Sequence, residues 1–221
     1  ISDTLRKVNA LAGRVARHFF LAGREIPLAE SLLDYTLVHQ RGPNLGARLE
    51  KAFRQLLRRH PAAVVIGTDS PGLPPRLLRT ALRELRWCDA VLGPCPDGGY
   101  YLIGLRRLAP GVFRGVRWGS AVAFRDTLRN LLRRTFACTI LEPIADVDRP
   151  EDLRRRRVHG RDLRGPVHGD DAGIDVREDG GLVLPLLPDA LARILEVGGH
   201  PVEGLDQHPH LVAGLLVHAV V

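Results

Sequence analysis

The sequence contains no methionine, not even at position 1, and only 5% of its 221 residues are aromatic. The first absence leads us to expect a chain that begins inside a longer natural one, so that a removed leader would leave no trace here. The second, with no recognisable nucleic-acid motif, argues against a stacking platform for RNA. No apolar run approaches 18 residues, so no membrane span is expected. Cysteine is scarce as well. Cys88, Cys95 and Cys138 are an odd number, far apart and without a CxxC, which argues against a disulfide framework or a zinc site. They suit small buried hydrophobes in a reducing, cytoplasmic compartment. His208 and His210 lack cysteine or acid partners at ligand spacing, which also speaks against zinc.

What is present is a basic body with an acidic end. Residues 1–160 carry 28 basic and 15 acidic side chains, whereas 161–221 carry 4 and 10. Six of the nine histidines lie at or beyond His159. Such a shift marks a boundary, and we expect a domain over 1–157 followed by an unassigned segment, 158–221, with the composition of partly disordered chain.

Within the body, strands alternate with helices. "SDTLRKVNALAGRV" repeats apolar residues at helical spacing, with Leu5, Val8, Leu11 and Val15 on one face. "RHFFLAG" predicts a short buried strand. "PNLGARLEKAFRQLLRRH" predicts an amphipathic helix with Leu45, Leu49, Ala52, Phe53, Leu56 and Leu57 facing the core. "AAVVIG" is continuous enough to be a strand covered on both faces. A helix over "PPRLLRTALRELRW", a strand "DAVLG", a loop "PCPDGG" and a strand "YYLIGL" follow, the last expected antiparallel at one side. A helix "AVAFRDTLRNLLRR", a strand "FACTILE" and a helix beginning near "RPEDLRRRR" complete the body. This order predicts a layered α/β domain with a mainly parallel sheet. In the last segment "LVLPLLPDALARILEV" suits a strand and a short helix, and "HLVAGLLVHAVV" a strand or a helix.

Three acidic stretches could carry chemistry. Asp69 follows the apolar strand, at the edge where ligands bind open α/β sheets. A hard oxygen donor there suits Mg²⁺ or Mn²⁺ with substrate phosphates; equally, Asp69 or Ser70 could cap the helix near Pro74. Asp97 stands at a loop tip beside Gly98 and Gly99, either binding sugar hydroxyls or accepting a proton, or simply marking an Asp-Gly hairpin turn. In "ADVDRPEDL", Asp146 and Asp148 alternate in an extended segment, so only one can face a site. Capping of a helix start is the competing role there. The run Arg154–Arg157 adjoins a helix end, where cations are favourable, and reads as a solvated surface rather than a nucleic-acid contact.

Taken in order, "QRGPNLGARLEKAF", "VVIGTDSPGLPP", "DAVLGPCPDGGYYLIGL", "VRWGSAVAFRDTL" and "DVDRPEDL" resemble the successive motifs of a bacterial family of GT-A-type glycosyltransferase-like proteins, often labelled radical-SAM/selenodomain-associated transferases. The resemblance covers roughly residues 2–156. It implies a Rossmann-like nucleotide-diphospho-sugar transferase fold that transfers a sugar from a nucleotide-diphospho-sugar (a UDP- or GDP-sugar) to a small-molecule acceptor, aided by Mg²⁺ or Mn²⁺. On that resemblance Asp69 and Asp148, or Asp146 in its place, would hold the metal. Thr68, Asp69, Ser70, Gly98, Gly99 and Tyr100 would contact substrate, and Asp97 would be the catalytic or sugar-binding acid. The family's N-terminal strand and loop, of the type F-x-K-x-P-x-x-G-x-V-K-T-R-L, has no counterpart here, so the expectation is an N-terminally truncated chain lacking a central strand. A nucleotidyltransferase sharing this fold, and a non-catalytic basic module or inactive fragment, are the alternative readings.

Overall fold

The computed structural model describes residues 2–11, 15–21, 32–67, 72–144, 175–176, 182–184 and 214–219. Helix α1 (Ser2–Asn9) leads into β1 (Val15–Leu21) and, after residues outside the described set, β2 (Thr36–His39). Then come α2 (Leu45–Leu56), β3 (Ala63–Ile66), α3 (Pro75–Glu84), and the hairpin of β4 (Ala90–Pro94) and β5 (Tyr100–Leu105). Helix α4 (Ala123–Leu132) and β6 (Cys138–Ile140) follow. Short strands β7 (Asp175–Val176) and β8 (Leu182–Leu184) and the strand β9 (Gly214–Ala219) complete the set.

The nine strands of the described residues form one sheet in the order β2-β1-β9-β3-β5-β4-β6-β8-β7. Strands β1, β2, β3, β4 and β6 point the same way, as the alternation of strand and helix requires. Three strands reverse: β5 between β3 and β4, β8 beside β6, and β9 between β1 and β3. One of these placements differs from the sequence-based expectation, and one had no expectation attached. The "YYLIGL" strand is antiparallel, but it lies inside the sheet rather than at one side. The position between β1 and β3 is filled from the far end of the chain by β9, whose Leu215 and Leu216 pair with Phe19 and His18 on one flank and with Ile66 and Val65 on the other.

The helices cover both faces, and strand alternation sorts the core into two layers. Val64 and Ile66 face α1 and α3, with Leu5, Val8, Leu77, Leu78 and Ala81 around them. Ala63 and Val65 face α2 and α4, packing with Leu49, Phe53, Leu128 and Leu131. All four β3 residues are therefore buried, as a continuous apolar run should be. Val15, expected at the end of the first helix, instead opens β1, because α1 stops at Asn9. Strand β2 had no sequence-based expectation: four residues, largely exposed at the sheet edge, give too short a pattern to detect.

None of the three cysteines forms a disulfide and all are buried, as expected of small hydrophobes. Burial pushes the Cys138 thiol up to about 12 and raises Cys88 also, which keeps both in the unreactive protonated form. The helix expected near residue 149 lies outside the described residues.

Candidate functional site

Because β1, β2, β3, β4 and β6 run in one direction, their carboxyl ends bring four connections to one edge of the sheet. These are the turn before α2, the chain leaving Gly67, the 95–99 loop, and the segment 141–144. The last stays alongside β4, with Leu141 N–H donating to Leu92 O at 2.8 Å and Ile144 N–H to Pro94 O at 3.1 Å. The chain thus leaves the described residues toward Asp69 at Gly67 and toward Asp146 and Asp148 at Ile144, flanking the Asp97 loop. Thr68, Asp69, Ser70, Asp146 and Asp148 themselves lie outside the described residues.

The end of β3 is held by an irregularity in its neighbour. Between Gly93 and Pro94 the β4–β5 register shifts, pairing Gly93 with Leu102 and Pro94 with Tyr100 and leaving Tyr101 as the extra residue. The Tyr101 carbonyl then accepts from Gly67 N–H at 3.2 Å, and its hydroxyl donates to the Glu142 carbonyl at 3.0 Å. One residue, through its backbone carbonyl and its hydroxyl, thereby ties the chain leaving β3 and the 141–144 segment to β5. Glu142 in turn receives Arg76 of α3 at 2.5 Å. The N-cap position of α3 belongs to Pro74, which leaves neither Asp69 nor Ser70 in it.

The Asp97 loop is both a hairpin turn and an anchored one. Cys95 and Gly98–Gly99 close it, with Gly98 N–H donating to Cys95 O and Cys95 N–H to Gly99 O, each at 3.0 Å. Asp97 Oδ1 accepts from Gly99 N–H at 2.9 Å, and the carboxylate is exposed, so its second oxygen is open to a ligand. Gly98 has φ +86, and a Cβ on it would lie 2.0 Å from the Ala121 carbonyl oxygen. Its own carbonyl accepts from Phe124 N–H at 2.9 Å, which serves the start of α4, where Val122 supplies no side-chain cap. Tyr100 turns its hydroxyl into the protein; burial raises that phenol's pKa, opposed by the neighbouring Thr127 hydroxyl.

The segment that grips the loop is itself fixed by a charge pair. The Arg117 guanidinium donates to both oxygens of Asp126, at 2.8 and 2.9 Å, and Asp126 is 7% exposed. The side-chain hydrogen bond from Arg117 holds the Asp126 carboxyl below its usual range, against the opposing effect of burial. A depressed carboxyl stabilises the fold fully above its unfolded value of about 3.9, and that contribution is lost as pH falls through the lower folded value. Thermal midpoints of the protein and of Asp126→Asn are therefore expected to differ at neutral pH and to converge below about pH 4. A gap that stays constant with pH would show that the pair contributes nothing through its charge. Asp89, held low by Arg107, has the same sign and will leave some acid sensitivity in the variant.

Two further segments meet beside this edge. Gly46, in the first turn of α2, packs so closely on the "VRWGS" stretch that a Cβ would lie 2.9 Å from Trp118 Nε1 and 3.0 Å from the Phe113 carbonyl oxygen. Trp118 meets Tyr100 edge-on at 6.2 Å. Residues from two of the motifs quoted above, some 70 positions apart, thus form one wall, and neither Trp118 nor Arg114 was a sequence-based candidate. A tryptophan set close to glycines, in a sequence with only two tryptophans, was the available signal.

Among the described residues no group of three or more His, Cys, Asp or Glu side chains could hold a metal ion. Nor is any described helix long and apolar enough to cross a membrane.

The comparisons bear on fold and lineage. Residues 5–120 match a family described as "Uncharacterized protein conserved in bacteria (DUF2064)". The chain is similar to a crystal structure described as a "putative nucleotide-diphospho-sugar transferase from Desulfovibrio desulfuricans G20", with a TM-score of 0.59 and 31% identity. The likeness covers 66% of this chain and 66% of that one. No curated protein matches. Strand order and likeness together identify a Rossmann-like α/β fold of the GT-A nucleotide-diphospho-sugar transferase kind.

Proposed function

Because the chain belongs to this family conserved in bacteria and is similar to a structure described as a "putative nucleotide-diphospho-sugar transferase", we propose that it transfers a sugar from a nucleotide-diphospho-sugar to a small-molecule acceptor. The observation that carries the reading is the convergence of the chain leaving Gly67, the Asp97 loop and the chain leaving Ile144 at one edge of the sheet. Ligands of open α/β sheets lie at that edge; Asp97 stands there, and the sequence continues from Gly67 to Asp69 and from Ile144 to Asp148.

In this reading Thr68, Asp69 and Ser70 bind the diphosphate side of a UDP- or GDP-sugar. The exposed Asp97, backed by Gly98 and Gly99, binds or deprotonates the acceptor hydroxyl. A divalent ion, Mg²⁺ or Mn²⁺, held by Asp69 and Asp148, would neutralise the leaving nucleoside diphosphate. The pair of acids rests on the sequence motifs and on the placement of Gly67 and Ile144.

Calorimetric titration with UDP-glucose and GDP-mannose, with and without Mg²⁺ or Mn²⁺, tests the proposal. Binding is expected for one of the nucleotides and only with the metal. Equal affinity with and without metal would overturn metal-assisted transfer, and release of pyrophosphate from a nucleoside triphosphate would replace sugar transfer with nucleotidyl transfer.

A further inference from the structure

A cleft of about 680 Å³ opens between the first turn of α2 and residues 110–118. Its charges are unbalanced. Arg114 is exposed and makes no ion pair among the described residues. Arg134 gives its donors to backbone, with Nε on Pro110 O at 2.7 Å and Nη1 on Asn130 O at 2.8 Å, and it pairs with no carboxylate among the described residues. Among the described residues the one acid on the wall is Glu50, and it is paired with Arg54 at 2.6 Å. The first turn of α2 carries no acid, so the positive end of the helix adds to the same field. Past Glu50 and Pro110 the surface continues into a second hollow of about 450 Å³ bordered by Arg58 and Arg106. A concave wall of one sign concentrates ligands of the other.

The cleft also has an apolar side and a fixed floor. Trp118 is half-buried and lies 6.3 Å from Phe113, centroid to centroid. The Asn130 side-chain amide donates to the carbonyls of Val112 at 3.0 Å and Arg114 at 2.9 Å, so the backbone beneath Arg114 is set by α4 before any ligand arrives.

We propose that this cleft binds a small molecule carrying an oxyanion, phosphate or carboxylate, joined to a ring or apolar portion. The Arg114 guanidinium takes the oxyanion in a charge-assisted pair, and the ring lies against Trp118. Because Trp118 meets Tyr100, next to the Asp97 loop, the ligand is the acceptor of the transfer; that identification alone rests on the sugar-transfer reading, and the binding site does not.

Trp118 supplies the readout. The only other tryptophan, Trp87, is 71% exposed and outside the cleft, so Trp87→Phe leaves Trp118 as the single indole reporter. In that background, phenyl phosphate is expected to change the emission saturably, with inorganic phosphate and phenol each binding more weakly. Benzoate in a parallel titration separates carboxylate from phosphate preference. Arg114→Ala, at an exposed position, should keep its thermal midpoint and lose about tenfold or more in affinity; Arg114→Lys should fall between, and added salt should weaken binding. No saturable response, or an unchanged affinity in Arg114→Ala, overturns the site. Saturating sugar nucleotide with Mg²⁺ should leave phenyl phosphate bound, and displacement would overturn the acceptor assignment. If phenyl phosphate binds through Arg114 while no sugar nucleotide binds at all, the site stands and the sugar-transfer reading falls.

Discussion

Gly98→Ala is expected to destabilise the protein by about 3 kcal/mol or more, because two costs fall on one methyl group. The first is the left-handed backbone, φ +86, which costs an L-residue about 1–2 kcal/mol. The second is steric. The new Cβ would sit 2.0 Å from the Ala121 carbonyl oxygen and 2.2 Å from its carbon, and backbone atoms have no rotamer by which to yield. Relief requires the loop and the start of α4 to separate, which removes the Gly98 carbonyl from Phe124 N–H. Gly119→Ala is the matched control: its φ is +71, but nothing lies within 4 Å of the added carbon, so only the backbone cost of about 1–2 kcal/mol applies. Urea denaturation of both variants separates the two terms. If Gly98→Ala loses no more than Gly119→Ala, the packing of loop on helix is not what holds this edge together. Since Asp97 moves with the loop, the same variant is expected to weaken ligand binding more than Gly119→Ala does.

The second large effect belongs to Asp69. Asp69→Ala is expected to lower metal-dependent affinity for the sugar nucleotide by at least about a hundredfold, because changing even the outer partners of metal ligands costs 10–100-fold. Asp69→Asn distinguishes the two roles open to this residue. Asparagine caps a helix as well as aspartate does but cannot supply a carboxylate to a hard cation. A ligand role predicts binding lost with the thermal midpoint unchanged, whereas a capping role predicts both retained. The N-cap position of α3, occupied by Pro74, favours the first outcome.

Much of the fold was legible because it is written in short-range patterns. The 3.6-residue spacing of Leu45, Leu49, Ala52, Phe53 and Leu56 gives α2 its buried face with no reference to its partners. The unbroken apolar run of Ala63–Ile66 announces a strand covered on both sides, and Asp97-Gly98 announces the hairpin. The acid at the end of β3 and the acid at the hairpin tip were likewise visible as residues that have no business in a core. The short edge strand β2 was not, since four mostly exposed residues carry no periodicity.

The sequence by itself determined most of the elements, their order, the shared direction of β1, β3, β4 and β6, and therefore that the loops after β3, β4 and β6 share an edge. Only the tertiary structure decided what lies between and across them. Nothing local places β5 inside the sheet, or sets β9 between β1 and β3, because hydrogen-bond donors along a strand are the same whichever neighbour accepts them. Nor does any local pattern bring Arg117 onto Asp126, Gly98 under Ala121, or Trp118 over Gly46. Those contacts arise from side chains distant in sequence meeting at close-packed distances, so the cleft at Arg114 and Trp118 came into view only once the chain was folded.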